Sequence, residues 1–290
     1  MSERVGFVDM ATYGVRTLFW RPVHSAVFVA VFGLIMIGYY SWAQSPGGMA
    51  FFLSYAEASL GLSTGAVGPY FAAIGQMMLV GLIFGAIHYA SGYRVLVRED
   101  AKPFFPIQLG RDELNFLLLF LVVGLIFLGV VIVAAIVAGI VGVALALALS
   151  AGDPEGAAYA GLFTGFVALL PVLYFVGRIS VSFPLTIKQR RFTLGGWKAS
   201  QGMGWSLFFA HLVIYAVMML VQFVLAYDVM MSSFTMGVDP VTTPDAEALA
   251  AQMANPVGDW KWIAAPLQSV LALLMMGPTA AIAAKRQLGA

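Results

Sequence analysis

The sequence predicts an all-α, polytopic membrane protein: one domain over residues 1–290, six transmembrane helices, and amphipathic helices at the cytoplasmic interface. Three observations predict it. Hydrophobic residues make up 61% of the chain and charged residues 10%, with a mean hydropathy of +0.91. Soluble domains carry roughly 25% charged residues, so a chain this poor in charge needs lipid as its solvent. The apolar residues also gather into runs close to or beyond the ~20 residues that cross a bilayer core. Finally, of the fifteen Lys and Arg, a six-span reading leaves only Lys261 on the far side. The positive-inside rule then puts both termini in the cytoplasm of a bacterial inner membrane.

Composition also excludes. A net charge of +1 leaves no surplus of cations to replace counterions on a nucleic acid. The chain has no cysteine, which removes disulfides, thiolate metal sites and cysteine nucleophiles.

Residues 3–20 read as an amphipathic helix. Val8, Ala11, Val15, Leu18 and Phe19 share one face, and Asp9, Thr12 and Arg16 share the other. Two placements stand open: on the cytoplasmic leaflet, or packed on the helix ends of its own chain. Residues 25–43 form the first span, read as a retained anchor because its apolar run and N-terminal flank are too long for a cleaved signal peptide. Residues 44–66 read as a Gly- and Ser-bearing loop.

The second span, 67–91, carries Gln76 and His88 and returns to a basic elbow with Arg94, Arg98, Lys102 and Arg111. From Glu113 to Asp153 there is no charge, and one helix of that length reaches almost ~60 Å. Splitting it into two spans would move Arg178 and the cluster Lys188, Arg190, Arg191 and Lys198 outside, so one steep helix over 117–149 is predicted. Ala135 and Gly139 give it small-xxx-small spacing. The fourth span, 160–179, contains Pro171, which should kink it.

A second elbow runs from Arg178 through a short extended piece at Pro184 and the basic cluster to Trp205. The fifth span covers 205–227. An outer loop with a short helix at 244–254 follows, then the interfacial belt Trp260-Lys261-Trp262 and the sixth span, 263–284. Acidic residues such as Glu57, Asp153, Asp228 and Asp245 fall on the outer side. Glycines nine residues before Arg94 and Arg286, with Leu-Gly pairs at Leu109 and Leu194, suit three parallel copies of a helix-plus-hairpin unit. Convergence of membrane elbows on Gly, Arg and Leu is the other explanation.

The chemistry is sparse. No Walker loop, HExxH pair or nucleophile elbow is present, so no enzyme and no cofactor is expected. His24, His88 and His211 sit on different helices without neighbouring carboxylates, so no metal site is expected. The polar candidates within or at the ends of spans are Arg178, Arg94, His88, His211, Gln76, Gln222 and Gln268. No Asp or Glu falls in mid-span, which argues against ion-coupled transport. Met218, Met219, Met230, Met231, Met275 and Met276 either line an adaptable apolar groove or face lipid. Arg178 cannot shed its charge. It is expected to turn inward, to carbonyls of the elbow or to Asp112 or Glu113, rather than snorkel to lipid phosphates.

The elbow pattern of an arginine, a following proline, a basic segment and Trp197-x-x-Ser200-x-Gly202 resembles uncharacterised proteobacterial integral membrane proteins. It also resembles the family called the glycerophosphoryl diester phosphodiesterase membrane domain. The resemblance covers roughly the last 120 residues. It implies a membrane part that anchors or accompanies a catalytic barrel, and no such barrel is visible in this sequence. The expectation is therefore a non-catalytic membrane scaffold or assembly partner, with a permease or lipid-handling protein as the alternative. Its partners would be the lipid bilayer and other membrane proteins or a second copy.

Overall fold

Six helices of the computed structural model are long and apolar enough to cross a membrane, which makes this a multi-pass membrane protein. Residues 5–59, 67–102, 104, 106–149, 154–225, 227 and 246–285 are described. Asp153, Asp228, Asp239, Asp245 and Arg286 lie outside them. Among the described residues the elements are helices α1 (Phe7–Trp20), α2 (Pro22–Ala43), α3 (Pro46–Ser59), α4 (Val67–Val97), α5 (Arg111–Leu149) and α6 (Pro154–Ser180). They continue with α7 (Ser182–Gln189), α8 (Gly196–Ala199), α9 (Gly204–Leu225), α10 (Ala246–Ala254), a 3-10 turn at Gly258–Trp260, and α11 (Lys261–Lys285).

The axis of the molecule is α11. Its spanning window is 61% buried, against 28% for the next most buried span. Its second half is built for this, with Gly277, Ala280, Ala281 and Ala283 all buried and small enough for close helix approach. Helices α11, α4, α5, α6 and α9 touch in that cyclic order and close a five-helix ring, with α2 and α1 packed outside it on α11.

The long apolar run is one continuous helix of 39 residues, about 58 Å. Its buried residues, Glu113, Phe116, Leu119 and Val123, all lie in its first third. Past Val123, no residue of α5 with a described side chain is buried. Helix α6 runs through Pro171 without a break, as proline in a membrane helix can when its neighbours re-satisfy the freed carbonyl.

Helix α1 packs on the chain's own helices, the second of its two expected placements. Met10, Gly14 and Thr17 are buried, with Gly14 seated on α11. Val8, Val15, Phe19 and Trp20 remain exposed on the other side. Its polar edge closes on the chain's own end, where Asp9 accepts from Arg16 at 3.0 Å and from Lys285 at 3.0 Å.

Two expectations are corrected. Residues 46–59 are helical rather than loop. Phe52 and Ala56 bury themselves against Ala246, Ala250 and Ala254 of α10, and that apolar contact outweighs the local Gly and Ser content. Gly48, which looks like loop flexibility, lies against the Trp42 and Ala43 backbone where no side chain fits. The piece before Pro184 is also not extended. Pro184 sits in the first turn of α7, where its missing N–H is no loss.

Of the repeat, the first and third units open with extra helices, α1 and α7–α8. The second does not, since the described residues from 98 to 110 contain no helix. Its matching glycines differ in use as well: Gly277 touches Gly14, while Gly85 faces open space.

Candidate functional site

At the end of the bundle where the basic residues gather, cations cap helix C-termini, whose free carbonyls and dipoles attract positive charge. Arg21 donates to Val95 O at 3.0 Å and to Arg98 O, closing α4. Lys188 donates to Ala283 O at 2.6 Å and Ala284 O at 2.9 Å, closing α11. The one-sided basic residues are therefore partly internal hardware rather than free surface charge.

The first elbow is built on Arg94, 3% exposed. Its guanidinium pairs with Glu113 and donates to Pro106 O at 3.4 Å. Glu113 reaches back to the Gly110 N–H at 3.1 Å, the acidic arm of a capping box at the start of α5. Beside it, Arg98 grips Asp112 at 2.5 Å and both oxygens of Asp100 at 3.0 and 3.1 Å. Arg190 also pairs with Asp100, tying the two elbows together. Arg190 itself stands at φ 54, in a left-handed helix cap where glycine is usual, with its N–H directed to Ile187 O and Thr186 O.

Hydrogen bonding from Arg98 holds the Asp100 carboxyl at about 2, down from 3.8. The sign follows: this contribution to stability is fully present above the ordinary carboxylate value and is lost as pH falls through about 2. Because Asp100 is 57% exposed, Asp100→Asn is expected to lower stability by less than ~1 kcal/mol at low salt and by less still at high salt. Thermal unfolding in detergent at two salt concentrations checks both parts.

Arg178 turns inward, to the carbonyl side of the expectation. Its Nη2 donates to Trp197 O at 2.9 Å and its Nε to Ser200 Oγ at 3.2 Å, and its Cζ lies over the Trp197 ring, 3.7 Å from the centroid. Asp112 and Glu113 are not its partners, because Arg94 and Arg98 already hold them. The motif Trp197-x-x-Ser200-x-Gly202 is thus the receptor for Arg178. Gly202, at φ +77, makes the turn that starts α9. Arg178→Lys keeps the charge and loses the fork and the stack, so a loss of about 1–2 kcal/mol is expected, with Arg178→Gln lower still. Equal stability of the lysine variant in a detergent denaturation series would overturn this role.

Inside the five-helix ring lies a cavity of about 320 Å³. It occupies the basic half of the bundle. Phe183 of α7 lines one end, its ring tilted against that of Phe116 at 4.9 Å. Its wall is mostly apolar, with Phe120, Leu173, Val176, Phe208 and Met275 among the lining residues and no Lys, Arg, Asp or Glu. The polar groups on it are Tyr89, Tyr93, Ser180, His211, Tyr215 and Thr279. Tyr93 and Thr279 bond each other at 3.0 Å, and Ser180 donates to Gly177 O at 2.8 Å. His211 Nδ1 lies 2.9 Å from Leu207 O.

Of the residues singled out from sequence, the cavity gathers His211, Met275 and Met276. The rest are dispersed. His88 sits among the rings of Phe28, Phe32 and Phe84 at 5.2, 4.6 and 5.7 Å. Gln268 accepts from Tyr40 at 3.0 Å, a packing role. Gln76 is exposed on α4, Gln222 is half-buried on α9, and Met219 is exposed. Among the described residues no His, Asp or Glu cluster could hold a metal. Sequence reasoning missed the tyrosines. The available signal was two aromatic pairs at i, i+4, Tyr89/Tyr93 and His211/Tyr215, each presenting polar atoms on one helix face. Comparison of the chain with known protein families, curated proteins and solved structures gives no match.

Proposed function

We propose that this chain is a non-catalytic lipid-handling protein of a bacterial inner membrane, with its basic end and both termini in the cytoplasm. The observation that carries the reading is the cavity. Its volume falls at the lower end of the ~300–1,000 Å³ of small-molecule sites, and its wall is apolar with a few convergent polar groups. It stands between helices that a bilayer surrounds, and past Val123 no described side chain of α5 is buried.

Native mass spectrometry of the protein released from nanodiscs tests this. The wild-type chain is expected to retain about one lipid through detergent exchange. Gly177→Phe is expected to lose it, because the glycine lies on the cavity wall with His211 Nδ1, at 3.9 Å, the nearest atom to an added Cβ. A wild-type chain without bound lipid, or a filled variant that retains it, would refute the reading. Cysteine labelling fixes the orientation, since the chain has no native thiol. Arg191→Cys should react only from the cytoplasmic face and Trp262→Cys only from the opposite face.

One feature favours the scaffold or assembly-partner reading instead. At 39 residues, α5 exceeds by many residues the 22 of α2 or α9, and Ile136, Ile140 and Leu147 along it are 57%, 67% and 79% exposed. Cross-linking from Ile140→Cys in native membranes separates the two. A discrete adduct with a second copy or another membrane protein supports assembly, and its absence leaves that surface to lipid.

A further inference from the structure

Resting on the cavity as a lipid site, the geometry points to the chemistry of the ligand: we infer an uncharged lipid with a hydroxyl head, received by His211 with the hydroxyls of Tyr89 and Tyr215.

The argument begins with the tautomer of His211. A carbonyl can only accept, so the 2.9 Å contact with Leu207 O makes Nδ1 the donor. In the neutral ring Nε2 is then an acceptor, and it has no hydrogen bond among the described residues. The hydroxyls of Tyr89 and Tyr215 likewise have no hydrogen bond there. Each tyrosine can donate or accept. They stand where the cavity meets its surroundings, 38% and 47% exposed. The remaining polar groups of the wall are already used: Tyr93 on Thr279, and Ser180 on Gly177.

The unfilled demand is thus one acceptor and two donor–acceptors, and a hydroxyl meets it. It gives its proton to Nε2 and accepts from a tyrosine. An ether or an alkane cannot donate, and offers Nε2 no proton to accept.

Charge selects against an anionic head. No Lys or Arg lines the cavity. Arg178, at the end of the same helix as Gly177, is taken up by Trp197 and Ser200. A phosphate placed beside His211 would be buried without a counter-charge, which the low dielectric penalises heavily.

The test uses the full chain in nanodiscs with three photoactivatable probes of equal chain length: a long-chain alcohol, its methyl ether and its phosphate monoester. Adducts are mapped to peptides of α9 and α11. The alcohol is expected to label these peptides about fivefold or more over the ether, the ratio one hydrogen bond provides, and more strongly than the phosphate. His211→Phe should bring alcohol labelling down to the ether level without changing the ether. Tyr89→Phe, which removes only an oxygen, should show the same direction if the histidine variant fails to fold.

Equal labelling by alcohol and ether, stronger labelling by the phosphate, or no response to either substitution would overturn the inference. Gly177→Phe keeps the two levels apart. If filling the cavity abolishes labelling by every probe while the head makes no difference, the lipid site stands and only the hydroxyl inference falls. If filling it changes nothing, the site itself falls.

Discussion

Arg94→Met is expected to destabilise the detergent-solubilised protein by about 3–5 kcal/mol, the cost of breaking a buried ion pair from one side. Its side chain is 4% exposed and that of Glu113 is 9% exposed. Methionine fills the volume but leaves the carboxylate without its cation, while Pro106 O loses its 3.4 Å donor and keeps the Ser91 hydroxyl at 2.6 Å. The neighbouring cation cannot substitute, because Arg98 is already held by Asp100 and Asp112. The double variant Arg94→Met/Glu113→Leu removes both charges together. It should recover most of the loss, short of the ~1 kcal/mol contributed by the bond from Glu113 to the Gly110 N–H. Denaturation of the four proteins of this cycle gives the coupling directly. A single-variant loss below about 1 kcal/mol would mean that water reaches the pair and that the elbow is held by other contacts.

Arg94 also shows why the fold was more legible in the sequence than the site. Length, apolar runs and one-sided charge are summed properties, and they survive ignorance of every contact. They identify six spans and one continuous α5. Partner choice is a property of register. Arg178 and Arg94 look alike in sequence, each closing an apolar run, and Asp112 and Glu113 could serve either. The helical turn through Pro184 returns the chain so that Trp197 and Ser200 meet Arg178, and the local sequence pattern there suits an extended piece as well as a helix. The α3 helix escaped for a related reason. Its partner, α10, lies some 190 residues away, and no local pattern records a contact at that separation. Tyr89 and Tyr215 are harder to pick out, because they lie on different helices, 126 residues apart, and only the packing of α4 and α9 into one ring brings them to one cavity.

Gly14→Ala is expected to be destabilising, although alanine gains about 1 kcal/mol over glycine in helix propensity. The added Cβ would lie 2.8 Å from Leu273 O and 2.9 Å from the Leu274 Cα, and on the facing side a Cβ at Gly277 would lie 2.7 Å from Gly14 N. These are backbone atoms and cannot rotate away, so α1 must lift from α11. Overpacking of this kind costs about 1–3 kcal/mol, enough to outweigh the propensity gain, and Gly14→Val should cost more.

The reporter is a single introduced thiol. Met10 is fully buried on the inner face of α1, and the chain has no cysteine. Met10→Cys should resist maleimide in the otherwise native protein, while Val8→Cys, at a position 60% exposed, reacts. Adding Gly14→Val should bring the Met10→Cys rate to within about tenfold of the Val8→Cys rate, as local opening approaches free exposure. Continued protection of Met10→Cys with unchanged stability would show that α1 is not seated on α11 through this contact. The consequence extends to the cavity. Met276 and Thr279 lie on either side of Gly277 on α11 and form part of the cavity wall. A helix lifted from Gly277 frees that wall to move, so Gly14→Val should also weaken lipid retention while leaving every lining residue in place.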